Sequence, residues 1–243
     1  MLQKINLHNV LFLDIETVPL QENFSDLSET EQQLFSDKTA YQRAEEQSAS
    51  SFYQKAGIWA EFGKIICISV GYFASKYRPR EFRIKSFFGQ EKELLLNFKS
   101  LLDNYYSSSR HLLCAHNGKE FDFPYVARRM LIHEIALPRI LSLHGKKPWE
   151  IPHLDTMHLW RFGDFKQYTS LKLLAHVFGI PCPKDDIDGS QVAQVYYQEK
   201  DMKRIVRYCE KDVVTVAQVL LKCVKNRFLA LKKLNLISNE NTP

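Results

Sequence analysis

With 243 residues, 45% of them apolar and 25% charged, the chain has the make-up of an ordinary globular protein, which excludes a disordered, collagen-like or disulfide-scaffold polypeptide. A chain of this length forms one large domain or two small ones and buries a sizeable core. Its net charge of +5 permits an anionic partner without requiring one.

The apolar run Val10 to Ile15 predicts a buried strand. The stretch Pro19 to Ser51 is rich in Gln, Glu and Ser, with Leu27, Leu34 and Phe35 at loose helical spacing. It reads as a helical insertion on the surface, over about 20–60, within a single domain spanning 1–243. Lys64 to Ala74 and Glu81 to Phe88 predict a second and a third strand, separated by a turn at Tyr77 to Arg80. Glu91 to Tyr105 carries Leu94, Leu95, Phe98, Leu101 and Leu102, a helical stripe.

Leu112 to Ala115 predicts a fourth strand, followed by Asn117-Gly118. Phe121 to Ile132 predicts a helix with Pro124 in its first turn, where a missing N–H costs little. His153 to Thr156 suits a fifth strand. Ser170 opens a helix containing Leu171, Leu174 and Ala175, which stops at Gly179. Asp201 to Leu234 predicts one long helix or two abutting ones. This order gives an α/β layered domain with a mixed sheet, antiparallel first because short connections join the first three strands.

The five cysteines, Cys67, Cys114, Cys182, Cys209 and Cys223, form no CxxC pair, so reduced thiols in a cytoplasmic protein are expected. The longest apolar stretch, Ile65 to Ala74, is broken by Cys67, Ser69 and Gly71 and is too short for a membrane helix. No signal peptide is visible near Lys4, His8 and Asp14.

Asp14 and Glu16 end the first strand and, two apart, point to the same face. A hard divalent cation with oxygen ligands would neutralise the pair. A solvated strand end opening a polar loop explains it as well. Asp122 falls in the first turn of a helix, where the dipole stabilises an acid whatever its role. Tyr208 and Asp212 are four apart and share one helix face, beside the buried side marked by Val213, Val216, Ala217 and Leu220. They face a cleft, or they are a core-edge tyrosine and a surface acid.

Taken together these residues resemble the DEDD superfamily of 3′–5′ exonucleases, specifically the proofreading exonuclease domain of family B DNA polymerases. Asp14-Ile15-Glu16-Thr17 is similar to the first motif of that family. Asn117, Phe121, Asp122 and Tyr125 are similar to its second motif, and Tyr208 and Asp212 to its third. The likeness runs from about Val10 to about Val224, without a polymerase domain, as in a stand-alone bacterial group. His-type relatives carry a histidine five residues before the last acid. Arg207 occupies that place here, so the Tyr type (DEDDy) is implied. The segment between Pro19 and Lys64 departs from the polymerase pattern.

The resemblance implies a ribonuclease H-like fold, a mixed five-stranded sheet with helices on both faces. It implies two divalent ions, Mg²⁺ or Mn²⁺, about 4 Å apart on the scissile phosphate. Asp14, Glu16 and Asp212 would hold the ion that activates water, and Asp14 and Asp122 the second. Tyr208 would orient the water, and the product would be a nucleoside 5′-monophosphate. Substrate contacts are implied at Asn117, Thr17, Phe121 and Tyr125. Either ring stacks on a base or packs under the helix; packing is favoured for Phe121 and Tyr125 stays open. Asp155 resembles an acid that follows a late strand in related nucleases and supports the site from behind.

Lys76, Arg78, Arg80, Arg83 and Lys85, with Tyr77 and Phe82 interleaved, suit either a phosphate track or a solvated edge strand. The partner implied is nucleic acid, with DNA favoured over RNA, and no membrane. Other readings are an inactive nucleic-acid-binding module on the same fold, an RNA-directed exonuclease, and a metal-dependent phosphatase acting on a small substrate.

Overall fold

The computed structural model describes residues 5–74, 81–164, 166–181 and 187–224, together with the backbone of 237–238. Its centre is β1 (Val10–Pro19), an apolar strand buried on both faces, as a middle strand must be. β2 (Gly63–Phe73) pairs with β1 antiparallel, setting Asp14 opposite Ser69 and Glu16 opposite Cys67. β3 (Phe82–Phe88) continues antiparallel on β2. On the other side of β1 lie β4 (Leu112–Ala115) and then β5 (Leu154–Asp155), both parallel. The five expected strands form one mixed sheet, with its antiparallel part first. A two-residue β6 (Ile237–Ser238), too short to leave a sequence signal, pairs with the β3 edge.

Helices cover both faces. Leu11, Leu13 and Ile15 of β1 point to the face packed by α3 (Glu91–Tyr105) and α4 (Asp122–Ile132), where Leu94, Leu95, Phe98, Phe123, Val126 and Met130 close the core. Val10 and Phe12 point the other way, to Val213, Val216, Ala217 and Leu220 of α8 (Met202–Cys223), the long helix that follows the single turn α7 (Val192–Gln194). Farther along the same face, Val18, Ile66 and Cys67 meet Ile205 and Cys209 of α8. Gly71 on β2 lets the helix approach: a Cβ there would lie 2.8 Å from Val213 and 2.4 Å from the Phe82 ring. The long helix expected from Asp201 ends at Cys223. Its remainder, and the turn expected at Tyr77 to Arg80, lie outside the described residues.

The segment after β1 is helical, as its spacing predicts. It holds α1 (Glu29–Thr39), capped by Ser28 and Glu31, and a single turn, α2 (Ala49–Phe52). It also builds a small core of its own, with Phe35 at the centre of Leu27, Phe52, Tyr53 and Phe62. Two carbonyls anchor it to α4. Tyr125 donates its hydroxyl to Gly57 at 2.8 Å, and Arg129 donates to Ala60 at 2.9 Å.

Arg129 is also half of a buried ion pair. Its Nε reaches Glu91 Oε1 at 2.8 Å, and His133 and the Ile65 amide reach the same carboxylate. The cluster ties α3, α4 and the start of β2 together. Burial alone would push the Glu91 carboxyl up, but hydrogen bonds from Arg129, His133 and Ile65 outweigh it and hold the pKa below its ordinary value. A depressed carboxylate contributes stability that is complete above the ordinary range near 4.5 and lost as pH falls through the lower folded-state value. Arg129→Ala strands the Glu91 charge in the core and is expected to cost about 3–5 kcal/mol in urea denaturation at pH 7. A loss below about 1 kcal/mol would contradict this account.

Candidate active site at the acidic end of the central strand

Along one face of β1 the side chains change from apolar to acidic. Val10 and Phe12 pack under α8, and then Asp14 and Glu16 follow at the same two-residue period. Beyond them the ladder slips: Glu16 pairs with Cys67 and Thr17 with Ile65, so Ile66 has no opposite residue. Bulges of this kind re-aim side chains beside functional sites. α8 makes a matching change. Val213, Val216 and Ala217 pack over the first half of the face and Ile205 and Cys209 over the second. Tyr208 and Asp212 sit at the margin between those two apolar patches. The acids of β1 therefore lie at a seam in the core, not at a free strand end.

Asp122 reaches the same place from the start of α4, and it is buried. Main-chain amides of Asp122 itself and of Ile15 hydrogen-bond its carboxylate. The four acids feel one another. Asp14 is pushed well above the carboxylate range by burial, then by the charges of Glu16, Asp212 and Asp122. Glu16, 7% exposed, is pushed up by burial and by Asp212, with smaller pushes from Cys67 and Asp122. Burial and the nearby Asp155 and Asp212 push Asp122 up to about 8, against its two amide donors. The Tyr208 phenol is pushed up by burial, then by Asp212, Glu16 and Asp14, and it hydrogen-bonds Asp212. All five residues expected from the three motifs thus share one pocket.

A neighbour without a sequence signal is Cys209, between Tyr208 and Glu210. Its thiol donates to the Asp14 carbonyl at 3.4 Å, and its sulfur and carboxylate oxygens of Asp14 and Glu16 lie within 4.8 Å of one another. Burial keeps that thiol protonated by raising its pKa. The donors left for a metal are carboxylate oxygens converging in an otherwise apolar seam. That donor set fits a hard divalent cation.

The loop that delivers Asp122 is held by a different acid. Asp155, 2% exposed, accepts four main-chain N–H groups: Asn117 at 3.0 Å, Lys119 at 3.0 Å, Met157 at 2.9 Å and His158 at 3.2 Å. It caps α5 (Thr156–Arg161) and curls the β4–α4 connection around itself. Asn117 takes a left-handed conformation there, with φ of 63°, and its buried Oδ1 has no hydrogen-bond partner within the described residues. Gly118 is required by packing, since a Cβ would meet Ala115 at 2.4 Å and Phe123 at 2.9 Å.

The expected substrate contacts fare differently. Asn117 lies on the loop just described, five residues before Asp122. Thr17 is half-buried on β1 and hydrogen-bonds Tyr125. Phe121 packs partly buried against the α3–α4 core, as favoured. Tyr125 requires a correction: it is 1% exposed and spends its hydroxyl on Gly57, so its ring packs inside and offers no face to a base. Two nearby histidines, His153 and His158, hydrogen-bond within the protein, with the Ile140 carbonyl and with Glu120. Of the basic stretch, Arg83 and Lys85 are exposed on β3, and Lys76, Arg78 and Arg80 lie outside the described residues.

Asp155→Ala leaves two loop amides and two amides of the first turn of α5 without their acceptor. It is expected to lower stability by about 2–4 kcal/mol in urea denaturation, on the scale of buried donors losing a charged partner. A change under about 0.5 kcal/mol would show that the loop holds itself.

Comparison with known proteins follows the geometry. Residues 58–233 match a family model described as a predicted 3′–5′ exonuclease related to the exonuclease domain of PolB. Among solved structures the fold is similar to the family B DNA polymerase of the hyperthermophilic archaeon Pyrobaculum calidifontis, with a TM-score of 0.53 and 13% identity. The match covers 88% of this chain and 24% of the polymerase, so the chain spans about a quarter of that protein. No curated protein matches. Among the described residues no helix is long and apolar enough to cross a membrane. The chain belongs to the family of predicted 3′–5′ exonucleases related to the exonuclease domain of PolB.

Proposed function

We propose that this chain is a metal-dependent, Tyr-type 3′–5′ exonuclease that shortens DNA from an unpaired 3′ end and releases nucleoside 5′-monophosphates. The observation that supports this most strongly is the mutual electrostatic coupling of Asp14, Glu16, Asp122 and Asp212, with Tyr208 bonded to Asp212. Four acids in one seam repel an anionic phosphodiester, so their use on nucleic acid requires cations. Asp14, Glu16 and Asp212 would hold one, and Asp14 and Asp122 a second. Bound Mg²⁺ or Mn²⁺ supplies charge neutralisation and Lewis-acid activation of water.

The chain's own residues do the rest. Tyr208, with its pKa raised, keeps its proton at working pH and donates it to Asp212, which leaves the phenol oxygen to accept from the attacking water and orient it. Its partner Asp212 fixes the direction of the phenol. Asp155 holds the loop that carries Asn117 and Asp122 at a constant distance from β1. The buried thiol of Cys209 fixes the main chain at Asp14. DNA is the substrate favoured by relation to a polymerase exonuclease domain, and an RNA substrate is separated from it by experiment.

With Mn²⁺ and 5′-labelled single-stranded DNA beside RNA, the wild-type protein is expected to give a ladder shortening from the 3′ end, faster on DNA. EDTA should abolish it, and Mg²⁺ or Mn²⁺ should restore it. Asp14→Ala and Asp212→Ala are each expected to lose at least about a thousandfold in rate, the scale of losing a group that stabilises developing charge. Cleavage that survives full chelation, or equal ladders from either variant, would overturn the proposal.

A further inference from the structure

Tyr168 is one of the large aromatic side chains that the fold leaves in solvent, 67% exposed. Its place is nonetheless fixed, because the main chain is held on both sides of it. The Thr169 carbonyl accepts from His116 Nε2 at 2.8 Å, and the Gln167 carbonyl faces Arg161 Nε at 3.4 Å. Both anchors lead back to the loop that carries Asp122. His116 directly precedes Asn117, and its other ring nitrogen is 2.8 Å from Thr156. Arg161 bonds Glu120 at 2.9 Å, two residues before Asp122. Directly after the second anchor, Ser170 caps α6 (Leu171–Val177) through the Leu173 amide. These anchors set Tyr168 beside the loop that leads into Asp122, and the Asp122 charge is among the influences on its phenol, after burial.

An exposed aromatic ring on a pinned segment offers an oriented face to a ligand. Loop tips that carry large apolar groups without packing gain nothing in the folded state. A ring that is already oriented loses little freedom when a flat partner lies on it. Bases stack on such rings whatever their identity, which suits an enzyme that removes nucleotides without reading sequence. The anchored loop also carries Asn117, whose buried Oδ1 has no hydrogen-bond partner among the described residues.

We infer that Tyr168 is the stacking platform for the base of the 3′-terminal nucleotide, holding an unpaired end over the carboxylates. This rests on the exonuclease reading. It assigns the aromatic contact to a residue outside the three motifs, in place of the buried Tyr125.

The test uses the full chain with Mn²⁺ and two single-stranded substrates, one with an ordinary 3′-terminal nucleotide and one whose last nucleotide is abasic. Tyr168→Ala is expected to raise KM about tenfold on the ordinary substrate, the lower end of a stacking contact. Tyr168→Phe, which keeps the ring, should stay within about twofold of wild type. On the abasic substrate wild type and Tyr168→Ala should be alike, a pattern that a structural defect cannot produce. A photoreactive base at the 3′ end should crosslink to Tyr168. Wild-type cleavage with equal KM for Tyr168→Ala, or the same loss on both substrates, overturns the stacking role and leaves the exonuclease reading standing. No metal-dependent shortening by wild type overturns both.

Discussion

Like charges gathered in a poorly solvated seam repel, and everything around Asp14 is arranged to hold that repulsion in place. Three separate parts of the chain deliver the acids: the middle of β1, the first turn of α4 and the middle of α8. Each is fixed by forces that have nothing to do with the acids themselves. β1 is clamped between β2 and β4 and packed on both faces. α8 is seated by two apolar patches, one on each side of Tyr208 and Asp212. α4 is fixed at its start by the loop around Asp155 and farther along by the Arg129–Glu91 pair. Burial and mutual repulsion raise the pKa of these carboxylates, and a cation bound among them would relieve that repulsion.

The same division of labour explains which acids do which job. Asp14 and Glu16 have no basic partner among the influences on their charge, whereas Glu91 is paired with Arg129 and Asp155 is saturated by four amides. Paired or saturated carboxylates build the frame. Carboxylates facing one another are left for a ligand. The distinction is physical and needs no alignment: it depends on where each carboxylate's lone pairs go.

Much of this was legible in the sequence. The five strands and the antiparallel start of the sheet followed from apolar runs and short connections, and the three motifs named Asp14, Glu16, Asp122, Tyr208 and Asp212, because short-range period and spacing survive in one dimension. What was not legible depends on contacts across long separations. Whether Tyr125 stacks on a base or packs stayed open in the sequence, and it is Gly57, from the segment after β1, that closes over its hydroxyl. Asp155 was flagged, but its four amides come from one loop and from the first turn of α5. Cys209 carries no motif of its own, and only the fold sets its thiol on the Asp14 carbonyl. Helical spacing foretold the insertion's helices, while its separate aromatic core around Phe35 required the chain to double back.

The central claim is that Asp14, Glu16, Asp122 and Asp212 form one cation-binding seam. Anomalous diffraction from crystals soaked in Mn²⁺ tests it most directly. Two peaks about 4 Å apart, bridged by Asp14 and flanked by the other three acids, are the expected result. Full occupancy elsewhere on the protein with an empty seam, or one peak ligated through the Cys209 sulfur, would contradict it.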